Sequence, residues 1–530
     1  MAAQPQIATL DCDVLVVGGG NAGFSAATSA AQSGAGRVLL IDKCPEEWVG
    51  GNSYFTAGAF RTVHGGLEDV LPLVNNVKEE LIDLDPYTSR DFLADLRRVT
   101  NGRFDPELGK VLVEESNDAV KWLAGIGVRL QLSFNRQAYK VDGRYKFWGG
   151  MCLKTEDGGR GLMIDHRRAA EKIGVKVLFS TAARTLKLDE STGAFKSLEA
   201  VGEEGKPIII NAKAVVLAAG GFEANPRMRS QYLGPGWDNA YVRGTPYNTG
   251  ECLEMAIRDI SAKQAGQWSG CHSVAWDANA PAHSGDREIS NEFTKSGYPL
   301  GITINNQGDR FFDEGSDIRN YTYAKFGRAI LNQPQGIAFQ TWDSKGVAWL
   351  RDEEYRDEIV EKIHASSIEE LARKCADSHG LENPRRFIET VEEYNQAVYQ
   401  HRKENRGLKW DPAVKDKLST QSSERSLKIP KSNWALAIDE GPFVAVKVGC
   451  GVTFTFGGLA IDPKTAGVVS LSGRSVPGVF CAGEMVGGLF YENYPGGSGL
   501  TSGAVFGRKA GIHAAAHANA KRTSVVGSRL

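Results

Sequence analysis

The sequence predicts an α/β fold: a Rossmann-like nucleotide-binding domain of two or three layers, interrupted by an inserted α+β domain. Three observations carry this expectation. A βαβ signature opens the chain, buried-strand runs closed by glycines return late in it, and the middle changes to amphipathic helices and a charged connector. The boundaries follow from that contrast: residues 1–264 and 446–530 build the nucleotide domain, and 265–445 the insert. At 530 residues the chain is too long for one ordinary core.

Residues 13–17 (DVLVV) form a buried strand that runs into VVGGGNAG. Gly18, Gly20 and Gly23 fill G-x-G-x-x-G: the first permits the turn, the second lets a pyrophosphate approach, and the third lets helix pack on strand. Asn21 and Ala22 sit inside that turn. A small-residue helix over Ala22–Ser33 points its positive end at the phosphates. A second strand, Arg37–Ile41, ends at Asp42 and Lys43. Asp42, nineteen residues after Gly23, is placed to accept hydrogen bonds from ribose hydroxyls and would repel a 2′-phosphate, which disfavours NADP. Helical patterning returns around Leu108–Leu123, and a strand at Val175–Phe179 follows a helix that begins after Gly161. The run Ala214–Ala219 reads as another buried strand, closing in Gly220-Gly221. In the insert, Ser367 and Glu370 form a capping box for a helix through Cys375. Asn383-Pro384 starts another helix, with Phe387, Val391, Tyr394 and Val398 at helical spacing. Residues 404–432, with Pro412 and Pro430, read as a surface connector. Gly478–Gly483 is a buried strand, and a helix runs from about Leu500 to Ala520. No internal repeat is present.

Composition excludes several classes. A formal net charge of -2 and 42% hydrophobic residues give no footprint for nucleic acid or an anionic membrane. The eight cysteines stand singly without C-x-x-C, so no zinc site, cluster or redox dithiol is expected, and no metal site of any kind. No segment reaches the length of a membrane span, and no secretory leader is expected. Ser528-Arg529-Leu530 is a close variant of the Ser-Lys-Leu address, so a peroxisomal or else cytoplasmic location is expected.

The late segments decide which dinucleotide. GVFCAGE (478–484) followed by NYPGGSGLTSGAVFGRKAG (493–511) gives a strand, a glycine loop and a long helix. That loop, with Gly499 and Leu500, brings a second helix N-terminus to the ligand, which suits the negative charge of a reduced flavin. NAD proteins need no such return from the far end of the chain. FAD is therefore the expected cofactor, with Ala219, Gly220 and Gly221 lining it and Glu484 holding a ribityl or ribose hydroxyl. A flavin disulfide reductase lacks its dithiol here, and a flavin monooxygenase would need NADPH-binding features where only one dinucleotide fingerprint is complete.

The stretches GGNSYFTAGAFR (50–61), LAAGGFEANP (217–226), NNQGDRFFDEG (305–315) and CAGEMVGG (481–488) resemble the fumarate reductase/succinate dehydrogenase flavoprotein family. Within it, the sequence is most similar to tricarballylate dehydrogenase-type flavoproteins. The resemblance implies FAD, a capping domain over the isoalloxazine, and hydride exchange between flavin N5 and a saturated carbon. Some relatives attach flavin through a histidine. Here the matching residues are Gly51-Asn52-Ser53-Tyr54, so non-covalent FAD is expected, with Gly50, Gly51, Asn52 and Ser53 as contacts.

By the same resemblance, Arg319 matches the proton-shuttling arginine, one residue further from Glu314 than in soluble fumarate reductases. His272 matches a histidine that binds a substrate carboxylate. Two departures follow. Phe454-Thr455-Phe456-Gly457-Gly458 replaces His-Thr-x-Gly-Gly, and Tyr494 stands where an arginine precedes the glycine pair. Two carboxylate-binding groups are missing, which disfavours fumarate and succinate. Tricarballylate or another polycarboxylate is expected, clamped by Arg319, His272 and Arg243. The rival reading is a 3-ketosteroid Δ1-dehydrogenase-like enzyme, in which Tyr494 polarises a ketone and Phe454, Phe456 and Phe490 supply an apolar pocket. Arg319 stands where such enzymes need a tyrosine base, and Tyr321 and Tyr323 are out of register. Arg310 and Phe311 match a structural pair. A further alternative is a catalytically inactive flavin-binding electron-transfer subunit. The expected partners are a small-molecule substrate and an electron acceptor that the sequence leaves open among oxygen, a quinone and an iron–sulfur protein.

Overall fold

The computed structural model describes residues 7–78 and 81–527. The chain divides into two compact units, one of Met1–Gly234, Gly244–Cys271 and Phe454–Leu530, the other of Pro235–Arg243 and His272–Thr453.

The first unit is built on a six-stranded sheet. Its strands lie in the order Lys176–Leu178, Val38–Ile41, Val14–Val17, Ala214–Leu217, Ser475–Cys481 and Gly467–Val469. All neighbours pair in parallel except the last two. VLVV, VLLI and AVVL are buried at every position, as a sheet covered on both faces requires. Val17 pairs with Leu217, and Leu217 with Cys481. The loops that follow these three strands therefore leave the same edge of the sheet, the edge where α/β sheets bind ligands.

Helices Asn21–Gln32 and Ser498–Gly527 pack together through small residues. A Cβ on Gly503, Gly507 or Gly511 would fall 2.6 Å from Asn21 Nδ2, 2.5 Å from Ala22 O and 2.1 Å from Ser29 Oγ respectively. Four-residue spacing puts these glycines in one stripe, so main chain lies against main chain. Ser29 Oγ donates to Arg508 O at 3.0 Å and Asn21 Nδ2 to Leu500 O at 2.9 Å, which fixes the register.

The second unit centres on a sheet ordered Tyr241–Val242, Phe443–Leu459, Ala338–Trp342 and Ile302–Asn305. Helices Ile368–His379 and Pro384–Glu404 cover it. Phe387, Val391, Tyr394 and Val398 are buried in one cluster with Ile302, Ile304 and Phe339, as the helical spacing predicts.

Several expectations shift. The units divide at Cys271/His272 and Thr453/Phe454 rather than at 264/265 and 445/446, and 235–243 joins the second unit. Both divisions fall inside long strands, Gln264–Asp277 and Phe443–Leu459, with no charged or proline-bearing linker at either point to mark them. The helix expected over 108–123 is two, Pro106–Glu114 and Ser116–Gly125. Ser367 accepts from Glu370 N at 3.2 Å, but the Glu370 carboxylate reaches Ser366 N at 2.8 Å, so the capping box closes one residue early. Residues 404–432 are no loose connector: Leu418, Thr420 and Lys431 are buried, and Lys431 Nζ donates to Gly301 O at 2.6 Å. Ser528-Arg529-Leu530 lies outside the described residues. Among those described, no helix is long and apolar enough to cross a membrane.

Candidate cofactor cradle and proton-transfer site

In the first unit, Gly18 has φ +108° and its Cβ would fall 2.3 Å from Ala218 O, so only glycine fits the turn beside the neighbouring strand. A Cβ on Gly23 would lie 1.8 Å from Gly18 O, the close helix-to-strand approach read from the sequence. Gly20 faces residues 50–53, with Ser53 Oγ 3.6 Å and Gly50 O 3.7 Å from where its Cβ would stand. Gly50 and Gly51 turn the chain with φ +118° and +52°, and Asn21 N donates to Ser53 Oγ at 3.1 Å. Asp42 Oδ2 accepts from Gly19 N at 2.6 Å and Oδ1 from Cys44 N at 3.0 Å. A carboxylate offers about four acceptor sites, so capacity remains for ribose hydroxyls. Lys43 is committed elsewhere: its Nζ donates to Glu251 at 2.6 Å and to Thr249.

The start of the second helix is held by a residue to which the sequence analysis gave no role. Arg61, 1% exposed, donates from Nε to Gly496 O at 2.8 Å and from Nη1 to Tyr87 and Asp95. Its carbonyl accepts from Thr501 Oγ1 at 2.7 Å. A Cβ on Gly483 (φ +71°) would lie 2.7 Å from Ala22 Cβ, so the loop after Cys481 lies on the first turn of the first helix. The N-termini of both helices thus converge at one sheet edge, joined by the Asn21–Leu500 bond. Two converging positive helix ends, the Asp42 carboxylate at the neighbouring strand end and glycine turns that hold main chain close fit an FAD pyrophosphate and the electron-rich edge of a flavin. Beside Gly499 stand the four rings of Phe454, Phe456, Phe490 and Tyr494, with centroids 5.4–6.5 Å apart. Glu484 accepts from Thr455 N at 2.7 Å and lies against Gly221.

The second unit holds the basic residues. Arg319 opens the turn Arg319–Tyr321 and its Nη1 donates to Ser296 Oγ at 2.9 Å. Ser296 donates from both N, at 3.0 Å, and Oγ to Glu354 Oε2. Glu354 Oε1 lies 4.0 Å from Arg319 Nη1 and 3.8 Å from Arg351 Nη1, so a buried carboxylate stands between two guanidinium groups. Arg243 donates to Thr453 Oγ1 at 3.0 Å and to Asn291, and lies 5.6 Å from the Trp276 ring. His272 meets Tyr323 edge-on at 5.1 Å. Burial, reinforced by the charge of Arg243, holds the His272 pKa well below the usual imidazole range, so the ring is neutral near pH 7. Burial also lowers Lys295, to about 8, against the attraction of Asp277 and Glu354. His272, Arg243 and Arg319 thus belong to the same unit, and Tyr323 links the turn of Arg319 to His272. Tyr494 belongs to the aromatic group of the first unit.

Ser296, Glu354 and Arg351 were missed by sequence reasoning. Glu354 sits in RDEEYRDE, which has the look of a solvated charge run.

The sequence matches the FAD binding domain family over residues 13–500. It is 27% identical to a probable fumarate reductase of Shewanella frigidimarina, over 98% of this chain and 76% of that protein. The structure of the open conformation of a flavocytochrome c3 fumarate reductase is similar with TM-score 0.71 and 25% identity, covering 98% of this chain and 80% of that one. A 3-ketosteroid-Δ4-(5α)-dehydrogenase from Rhodococcus jostii shares the fold, with TM-score 0.67 at 22% identity and 97% and 98% coverage. The family match takes in the glycine turn, the Asp42 strand end and the loop that starts the last helix, and so the chain belongs to the FAD binding domain family as an FAD-dependent oxidoreductase.

Proposed function

We propose that the protein interconverts CH–CH and C=C next to a carboxylate, with tricarballylate or a related polycarboxylate as its first-choice substrate and FAD held without a covalent bond. The arrangement that carries this reading is Arg319, Ser296, Glu354 and Arg351 in series, with the Arg319 side chain only 18% exposed. Bound FAD supplies the hydride donor or acceptor. The carbon left beside the carboxylate is then a strong base in the reducing direction and a very weak acid in the oxidising one. Arg319 transfers the proton at that carbon, and Glu354, fed from Arg351, restores it. Positioned proton transfer of this kind contributes on the order of 10²–10⁴-fold. Arg243 meets a substrate carboxylate as a cation, and neutral His272 as a hydrogen-bonding group. The similarity to a probable fumarate reductase supports chemistry at a carbon–carbon bond.

A second reading is favoured by one observation, the group of Phe454, Phe456, Phe490 and Tyr494, which suits an enolisable ketone polarised by the Tyr494 hydroxyl. The fold shared with a ketosteroid dehydrogenase is compatible with it. One experiment separates the readings. Anaerobic holoprotein is mixed with tricarballylate, other di- and tricarboxylates, and 3-ketosteroids while the flavin absorbance is followed. Bleaching by an acid supports the first reading, and bleaching only by a ketosteroid overturns it. No bleaching by any of them, together with unchanged behaviour of Arg319→Gln, supports the inactive electron-transfer subunit.

A further inference from the structure

Glu223 follows the Gly220-Gly221 loop and is fully buried in the first unit. Its Oε1 accepts from Asn248 Nδ2 at 2.5 Å and from Asn52 Nδ2, while Asn52 Oδ1 accepts from Thr245 N at 2.9 Å. Glu223 therefore ties together the loops at 50–53, 220–223 and 244–249. Its second oxygen, Oε2, accepts from no N–H and from no Ser, Thr or Tyr hydroxyl. The group against it is the Glu484 carboxyl. A Cβ on Gly221 would fall 2.1 Å from Thr455 Oγ1, 2.2 Å from Glu484 Oε1 and 2.8 Å from Glu223 Oε2, so both carboxylates and the Thr455 hydroxyl crowd one point of the main chain. Glu484 is itself fixed by Thr455, through N at 2.7 Å and Oγ1 at 3.0 Å.

Among the described residues, no cationic side chain forms an ion pair with either carboxylate. Arg229 donates to the main-chain oxygen of Glu223 at 2.6 Å, and Lys43 is engaged by Glu251 and Thr249 beyond Asn248. Among the described residues, no Lys, Arg or His side chain donates to either carboxylate. Two ionised carboxylates this close and this buried repel, and one proton between them both removes the repulsion and gives Oε2 its donor. Burial, then the neighbouring charge, raises the Glu223 pKa well above the usual carboxylate range. Burial, opposed by the Thr455 bonds, raises Glu484 to about 7.

We propose that Glu223 and Glu484 hold a single proton between them, and that this shared proton closes the loops of the FAD cradle, making Glu223 a positioning residue for cofactor retention. The sign follows from the raised pKa values: the closed arrangement is intact at low and neutral pH and is lost as pH rises and both groups ionise. The FAD dissociation constant of the wild-type protein is expected to rise tenfold or more as pH is raised from 6 to the alkaline limit at which the holoprotein stays folded, measured by ultrafiltration or flavin fluorescence. Glu223→Gln supplies a non-titrating N–H to Glu484, so its dissociation constant should stay within a few-fold across that range. A wild-type constant independent of pH, or a Glu223→Gln protein with the wild-type slope, overturns the proposal. Infrared spectroscopy of the holoprotein gives a readout that does not depend on the variant folding. A protonated carboxyl C=O band present at pH 6 and lost as pH is raised supports the pair, and its absence at pH 6 overturns it.

Discussion

Replacing Gly511 by alanine tests how the two helices of the first unit are held. The new Cβ would lie 2.1 Å from Ser29 Oγ, 2.2 Å from Ala26 O and 2.9 Å from Ala30 N, and two of those three atoms are main chain. A hydroxyl can rotate away, but a carbonyl and an amide inside Asn21–Gln32 move only with the helix. Alanine in place of glycine inside a helix gains up to about 1 kcal/mol from propensity alone. Overpacking against main chain costs about 1–3 kcal/mol, here at the upper end, so a net loss of about 2 kcal/mol is expected. Gly125, the last residue of Ser116–Gly125, is the control, because nothing lies within 4 Å of its Cβ position. Gly125→Ala should be neutral or stabilising by up to about 1 kcal/mol. Urea unfolding followed by circular dichroism and by flavin release reads both. The Gly511 variant should also bind FAD about tenfold or more weakly, since about 1.4 kcal/mol is a factor of ten and the Asn21–Leu500 bond sits two to three turns up the same contact. Equal or greater stability of the Gly511 variant would refute close main-chain packing as the reason for the glycine stripe.

Arg319→Gln should lower kcat about 10²–10⁴-fold while the protein keeps its flavin spectrum, and Glu354→Gln should lower it less and move the pH profile of turnover. Steady-state kinetics on the substrate identified by flavin bleaching checks both. Tyr494→Phe should leave kcat/KM within a few-fold on a carboxylate substrate; a loss above about 10²-fold would favour the ketone reading. His166, buried against Asn21 with Nε2 3.0 Å from Asn21 Oδ1, has its pKa lowered by burial to about 4. Below about pH 6.5 the unfolded chain binds a proton that the folded one does not, so stability falls as pH falls from 6.5 towards 4. Between pH 7 and 5 the wild-type protein should lose about 2 kcal/mol more than His166→Asn, read from urea midpoints.

The parts legible in the sequence are those whose cause is local. Gly18, Gly20, Gly23 and Asp42 are spaced along one strand–turn–helix–strand, and AVVL must be covered on both faces wherever it lies. Illegible parts depend on partners far away in the chain. Glu354 differs from its charged neighbours because Ser296, 58 residues earlier in the chain, and Arg319 close over it. Glu223 was visible in GGFE but carried no role until Glu484 came to face it. Lys431 gave a polar, connector-like reading because its acceptor is the carbonyl of Gly301, 130 residues earlier. The unit boundaries were misplaced for a different reason: a strand such as FVAVKVGCGVTFTFGGL crosses from one unit to the other with no change of chemistry to mark the place.

The pairing of Asn21–Gln32 with Ser498–Gly527 sets an order of events during synthesis. The glycine turn is translated nearly five hundred residues before the surface its helix packs against. Until then the alanine face of that first helix, from Ala22 to Ala30, has no covering layer. Nascent chains should therefore acquire tight flavin only after the helix that opens at Ser498 has been made, and translation arrested before residue 498 should leave that face open to chaperones.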